Sequence, residues 1–197
     1  MLWPGSAGRD CKVDIVASTL DAGGLAEDYV LSMWHSALCH LAPEGVMIPS
    51  GVKIFAVAVD IPLGTLLEGN FNGVCGGHLS KAIYPCELIA LQQTPTQLAY
   101  LSFRQVQGGI LNGDAFATGC LNISSSGLLT GFAVWSTPHM GEEEDDGLSP
   151  ERSPSLSLPR DTLVHFVQSR RKVEVGDMVT VTARFNDGRL AVDEACA

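Results

Sequence analysis

The sequence has few positive charges and no long apolar run. Lys and Arg together number 12 against 22 Asp and Glu, so the formal net charge is −10. Nucleic acids and anionic membrane surfaces are bound by clustered Lys and Arg, so this acidic balance argues against both as partners. No stretch of the chain approaches the roughly 18 uninterrupted apolar residues of a membrane-spanning helix, so we expect no membrane span.

Closely spaced cysteine pairs are also absent. The six cysteines are widely scattered: Cys11, Cys39, Cys75, Cys86, Cys120 and Cys196. In a chain of this length, such scatter indicates reduced, buried thiols rather than a disulfide framework. The first residues, "MLWPGSAGRDCK", contain no apolar core of signal-peptide length. We therefore expect a cytoplasmic or nuclear protein.

The N-terminal part has the pattern of an α/β segment. "KVDIVAS" (12–18) predicts a short buried strand, and "VKIFAVAVDI" (52–61) predicts a second, strongly β-prone one. Between them, apolar residues recur every three or four positions from Glu27 to Leu41, the period of an amphipathic helix. A short strand is expected in "APEGVMIPSG". Residues 1–61 are thus predicted to be the edge of a larger α/β sheet whose remaining strands lie upstream.

The remainder, residues 62–197, has the pattern of antiparallel β structure. The predicted strands span residues 86–93, 98–106, 117–125, 128–137, 162–169, 178–185 and 189–195. Turn signals stand at 175–177 and 186–188, the second typical of a tight hairpin. The acidic Ser/Pro segment at 141–159 predicts a disordered surface loop, either inert or phosphorylated at Ser149 and Ser153. The predicted fold class is α/β plus β, ending in a β-barrel-like or sandwich domain.

Two groups of side chains have the residue types of a metal site or of a nucleophile with its base. Cys75, His78 and Cys86 lie within one short stretch, and Cys39 and His40 could add further ligands. Zinc needs four ligands with close pairs at recognisable spacing, and no second pair has that spacing, so no metal site is predicted. His35 and Cys39 are four residues apart on one helix face, as a base and a nucleophile would be. No third residue orients the base, so packing in the core is expected for both.

Other conspicuous side chains have structural interpretations. Trp34 and Trp135 lie in apolar periodic segments and are predicted to be core residues. His165 lies within a predicted strand and is expected to be packed. The basic run 170–172 is predicted to be a solvated turn, with binding of the acidic loop or of an acidic partner as the alternative.

Residues 13–61 resemble the last third of the methyltransferase domain of the protein arginine methyltransferases. The matching stretch reads "VDIVASTLDAGGLAEDYVLSMWHSALCHLAPEGVMIPSGVKIFAVAV". "SSGLLTGFAVWST" and "KVEVGDMVTVTARFNDGRLAV" are similar to barrel strands of the same family. The similarity is greatest to the two-module members, above all to the distal, degenerate module of the ninth kind. It implies a C-terminal Rossmann-like edge followed by an antiparallel β-barrel, which in this family carries a dimerisation arm.

The resemblance also implies a cofactor, S-adenosylmethionine, and a substrate, arginine in a protein. A pair of glutamates in this family holds the guanidinium, which a carboxylate grips through parallel hydrogen bonds. The second glutamate matches Glu27, whereas the first is replaced by Thr19, which carries no charge. Asp21 is acidic but shorter and two positions displaced. Glu27 is the single catalytic residue that the resemblance assigns.

Two further departures concern the cofactor and the substrate loop. The glycine-rich loop that holds S-adenosylmethionine lies upstream in this family and is not among these residues, so no cofactor-binding residue is assigned. The family's Thr-His-Trp loop is replaced by "SLSLPRD". Two readings stay open: a C-terminal portion of an arginine methyltransferase-like protein, with Arg-rich proteins as partners, or a non-catalytic scaffold derived from a degenerate methyltransferase.

Overall fold

The computed structural model describes residues 12–18, 28–62, 88–103, 115–140, 162–186 and 189–195. One helix and ten strands follow each other along this part of the chain: β1 Val13–Ala17, α1 Asp28–His40, β2 Leu41–Ile48, β3 Gly51–Asp60, β4 Ile89–Ala90, β5 Thr96–Ser102, β6 Ala115–Asn122, β7 Gly127–His139, β8 Leu163–Val173, β9 Met178–Asn186 and β10 Arg189–Glu194. The structure is mostly antiparallel β sheet, as the pattern after residue 61 predicted.

The first three elements form a β–α–β unit. Strands β1 and β2 pair in parallel, with Val16 opposite Met47, and helix α1 connects them. Trp34 and Leu38 of α1 are buried in the main core together with Met47, so the predicted amphipathic helix is confirmed. The prediction that β1 is buried is wrong, because its side chains are mostly exposed. Only the face that carries Val16 packs on the core.

Strand β3 lies at the centre of the largest sheet, which has five strands. It pairs antiparallel with β5 and the short β4 along one edge and with β7 along the other, and β8 lies beyond β7. The apolar run "VKIFAVAV" is explained by burial on both faces, because successive side chains of a strand point to opposite sides. Ile54 and Ala56 enter the main core, whereas Phe55 and Val57 enter a second cluster.

The second cluster contains one stacked aromatic pair. Phe55 of β3 and Trp135 of β7 lie side by side, with ring centroids 5.8 Å apart and an interplanar angle of 18°. Both are buried, as the pattern predicted for Trp135. Every described member of this cluster belongs to the five-stranded sheet or to the residues that directly flank its strands.

A smaller sheet of three strands, in the order β10-β9-β6, packs across the main core from the five-stranded sheet. Strands β9 and β10 form an antiparallel hairpin in which Arg189 pairs with Asn186, which confirms the hairpin predicted from "NDG". Residues 187 and 188 of its turn lie outside the described residues. The turn at Glu174–Asp177 leads from β8 to β9 and so from one sheet to the other. It contains Gly176, whose φ of 95° lies in the region that favours glycine.

The two sheets approach each other along two seams. At one seam Leu98 of β5 packs directly against Gly119 of β6. At the other, His165 and Arg171 of β8 reach Val192 and Glu194 of β10. No strand ladder joins the two sheets in the described part of the chain, so the expected barrel-like domain is two facing sheets rather than a closed barrel. Of the strand predicted at 86–93, residues 88–93 are described, and among them only Ile89–Ala90 is extended and paired.

Candidate functional site

The carboxyl end of β1 is the place where the resemblance puts catalytic chemistry. The backbone N–H of Ser18 donates to the carbonyl of Ile48 at 2.8 Å, which extends the pairing of β1 with β2 by one residue. Helix α1 begins at Asp28, so the segment between Ser18 and Asp28 leaves from the strand end at which α/β sheets bind ligands. Thr19, Asp21 and Glu27 lie in that segment, outside the described residues.

Helix α1 is held on the main core by an aromatic contact. Trp34 is 1% exposed, and its ring centroid lies 4.1 Å from that of Phe103 at an angle of 56°. Its indole Nε1 has no hydrogen-bond partner in the described part of the chain. The prediction that Trp34 is a core residue is therefore confirmed. Periodicity alone could not predict that its indole N–H is buried without an acceptor in the described part of the chain.

The seam between β8 and β10 collects polar groups that lie far apart in sequence. His165 is 2% exposed, and its Nδ1 accepts a hydrogen bond from the backbone N–H of Val192 at 3.4 Å. Nearby, Nε and Nη2 of Arg171 donate to Oε1 of Glu194 at 3.2 and 2.8 Å. That ion pair is solvent-exposed, so its contribution to stability is about 0–1 kcal/mol. His165 is packed as predicted, and its ring nitrogen is the acceptor for the backbone N–H of Val192 at the seam.

The basic run 170–172 is part of strand β8 and not the solvated turn that the sequence predicted. The register of β8 against β7 shifts between Leu129 and Gly131, and Arg170 lies within the extra stretch of β8 that this shift leaves without partners. Arg170 and Lys172 are exposed, whereas Arg171 is engaged with Glu194. The prediction that the run is exposed to solvent is thus confirmed, and the prediction that it is a turn is wrong.

The candidate base His35 and the candidate nucleophile Cys39 are more exposed than the sequence predicted. His35 and Cys39 are both exposed on α1, so the expectation that they pack in the core is wrong. The backbone carbonyl of Cys39 accepts a hydrogen bond from Nζ of Lys12 at 2.6 Å, which links the end of α1 to the start of β1.

The described cysteines are free thiols, as predicted, but they are not buried. Cys39 and Cys120 are both exposed and unpaired with other cysteines. Among the described residues, no three His, Cys, Asp or Glu side chains come together as a metal site would require. The considered ligands Cys75, His78 and Cys86 lie outside the described residues.

One surface feature was not predicted from the sequence. Side chains of β1 and β2 on the face away from the core are apolar and exposed: Val13, Ile15, Val46 and Ile48. Alternation along each strand would have separated the two faces, but a short apolar run is equally compatible with a fully buried strand. The exposure of one face is decided by what packs on it.

Comparisons with known proteins do not assign the chain to a family. No protein-family model matches the sequence, and no curated protein matches it significantly. In the described part of the chain, no helix has both the length and the apolar character needed to cross a bilayer.

Proposed function

We propose that these 197 residues are the C-terminal portion of a protein arginine methyltransferase-like protein and do not catalyse methyl transfer by themselves. In this proposal the β1–α1–β2 unit is the edge of a larger, Rossmann-like cofactor-binding sheet. The two antiparallel sheets form the substrate-facing part. The protein would act together with S-adenosylmethionine on arginine in protein substrates.

The observation that carries the proposal is the parallel pairing of β1 with β2 through α1. Parallel strands joined by a helix are the repeating unit of α/β sheets, and ligands bind at the carboxyl ends of such strands. The segment with Thr19 and Glu27 connects that end of β1 to the start of α1. The order of the unit, followed by antiparallel strands, agrees with what the resemblance implies.

The reason for proposing no independent catalysis is chemical. A guanidinium stays protonated and is oriented most strongly by two carboxylates, and Thr19 supplies none. Positioning of the substrate nitrogen against the methyl donor contributes most of the expected rate enhancement. With Glu27 alone, these residues hold half of that arrangement, and they include no glycine-rich loop for the cofactor.

A second candidate is a non-catalytic binding module derived from a degenerate methyltransferase. The exposed apolar side chains on β1 and β2 favour it, because contiguous exposed apolar groups mark sites of association. Under this reading the β–α–β unit and the two sheets are retained as a scaffold after the chemistry is lost.

Calorimetry on the full chain distinguishes these readings. We expect no measurable binding of S-adenosylmethionine, and micromolar affinity for it would contradict the absence of a cofactor site. An arginine-rich peptide is then titrated beside the same peptide with lysine at each arginine. Tighter binding of the arginine peptide, lost in Glu27→Gln, would support the methyltransferase-like reading. Equal binding of both peptides, or none, would favour the non-catalytic module.

A further inference from the structure

Four polar side chains from three strands are neighbours on the five-stranded sheet. Lys53 of β3 pairs with Tyr100 of β5 on one side and with Thr137 of β7 on the other. Residues paired across antiparallel strands point to the same face, so these three side chains lie next to one another. His139 follows on the same face of β7, and its ring contacts that of Tyr100 with centroids 5.0 Å apart. We refer to Lys53, Tyr100, Thr137 and His139 as the polar patch.

The tyrosine hydroxyl of the polar patch lies over the central strand. A Cβ on Gly51 would stand 2.8 Å from Cε2 of Tyr100 and 2.9 Å from its Oη. Gly51 pairs with His139 and precedes Lys53 by two positions on the same face of β3. The ring of Tyr100 therefore brings its hydroxyl from the neighbouring strand β5 to the position where His139 and Lys53 also project.

The donors of the polar patch are not used by the rest of the described chain. Among the described residues, no group hydrogen-bonds the side-chain polar atoms of these four residues, and no carboxylate lies within ion-pair distance of Lys53. Strands β5 and β7 contain no Asp or Glu, and the one acidic residue of β3 is Asp60 at its opposite end. Lys53 is half-buried. In a chain of net charge −10, a partly desolvated ammonium without a counter-ion is unusual, because burial of an unpaired charge is costly.

We propose that the polar patch binds a phosphoryl group. The ammonium of Lys53, the hydroxyls of Tyr100 and Thr137 and a ring N–H of His139 are all hydrogen-bond donors. A phosphoryl group offers several acceptor oxygens to donors that arrive from three strands, and its bond to the ammonium is charge-assisted. A cationic ligand is disfavoured, because Lys53 would repel it even where the ring of Tyr100 offers a stacking surface. This site is independent of arginine recognition at Glu27.

Titration of the full chain with inorganic phosphate tests the proposal. The aromatic resonances of Tyr100 and His139 and the amide resonances are followed by NMR, with sodium chloride added to keep the ionic strength constant. We expect saturable shifts centred on Gly51, Tyr100 and His139, with a Kd of about 1–10 mM, the affinity of a small ion held by a few donors. Shifts that do not saturate, or that are centred elsewhere on the chain, would overturn the proposal.

Matched substitutions locate the binding. Lys53→Met keeps the apolar stem and removes the charge, so phosphate should bind at least about tenfold more weakly. Lys172→Met is the control, because it removes the same charge from an exposed position on β8 and should change Kd by less than about twofold. Tyr100→Phe keeps the ring over Gly51 and should weaken binding about threefold or more through loss of the hydroxyl. Equal weakening by Lys53→Met and Lys172→Met would overturn the proposal, because the attraction would then be that of the overall charge.

Two peptides identify the source of the phosphoryl group. A phosphoserine peptide and its unphosphorylated twin are titrated under the same conditions as inorganic phosphate. Binding of the phosphopeptide at least about tenfold tighter than phosphate would support the proposal with a phosphorylated protein as the source. Binding no tighter than phosphate would support it with a small phosphorylated molecule or the free ion as the source. Equal binding of both peptides would contradict recognition of the phosphoryl group.

Discussion

Tyr100 of β5 and His139 of β7 meet edge to face above Gly51 of β3, with ring centroids 5.0 Å apart and an interplanar angle of 81°. Gly51 pairs with Ser102 on one side and with His139 on the other, so the tyrosine ring lies diagonally across the glycine. Aromatic side chains that cover a strand glycine in this way compensate for its missing side chain. The contact joins three strands at the position where the chain enters the five-stranded sheet.

The close packing above Gly51 predicts that Gly51→Ala destabilises the fold. A Cβ there would contact the carbonyl oxygen of Leu101 and lie 2.8 Å from Cε2 of Tyr100. We expect the free energy of unfolding to fall by about 1–3 kcal/mol, the usual cost of overpacking, measured by urea denaturation. Gly119→Ala is the control, because its Cβ would meet only the end of the flexible Leu98 side chain at 2.6 Å. A loss as large for Gly119→Ala would contradict this reasoning.

The buried hydroxyl of Thr130 predicts a second loss of stability. Its Oγ1 accepts from the backbone N–H of Ile61 at 2.8 Å and donates to the carbonyl of Val59 at 3.0 Å. Thr130→Val keeps the shape but leaves both backbone groups buried without that partner, at a cost of about 1–3 kcal/mol. Thr130→Ser retains the hydroxyl and should lose less. Thermal or urea unfolding of the two variants checks the order, and a Val variant as stable as wild type would contradict it.

The seam between the two sheets predicts a specific change in amide exchange. His165→Leu removes the Nδ1 acceptor of the Val192 N–H, whereas His165→Asn provides a side-chain oxygen that is able to accept the same bond. We expect the Val192 amide to exchange with solvent faster in His165→Leu, and stability to fall by about 1–3 kcal/mol. In His165→Asn both changes should be smaller. Unchanged protection of Val192 in both variants would mean that the seam does not depend on this bond.

The proposed function predicts that Thr19→Glu alone creates no activity. In that proposal the substitution restores the first carboxylate of the pair, but the family's loop that holds the methyl donor is still missing from these residues. We expect no transfer of a labelled methyl group from S-adenosylmethionine to an arginine peptide, with the corresponding lysine peptide as control. Transfer to the arginine peptide by Thr19→Glu or by the unchanged chain would show that a cofactor site exists within these residues.

Local patterns predicted most of the elements. The helical period from Glu27 to Leu41 corresponds to α1, and "NDG" predicted that β9 and β10 pair as a hairpin. These features depend on neighbouring residues, so they can be read directly from order and spacing. Within the described residues 88–93 of the strand expected at 86–93, only Ile89–Ala90 is a strand, because its pairing with the end of β3 involves two residues.

For the candidate site, too, some features were predictable from the sequence and others depended on packing. The roles of Glu27 and Thr19 were assigned from the identity of these two residues, which lie outside the described part of the chain. Those roles therefore stay a prediction from the sequence. The exposure of His35 and Cys39 reversed the expectation of packing, because the buried side chains in the described part of their helix are Trp34 and Leu38, which lie on another face. The packing of His165 was predicted, but not its bond to Val192, which depends on how two sheets approach each other.

By itself, the sequence determined the acidic charge, the helix, the positions of most strands and the change from α/β to antiparallel character after residue 61, since each depends on composition or on short-range periodicity. Only the tertiary structure decided that β1 and β2 pair in parallel, that β3 is buried on both faces and that Ile15 and Val46 are exposed. Burial is a property of what packs against a side chain, and those contacts join residues far apart in the chain.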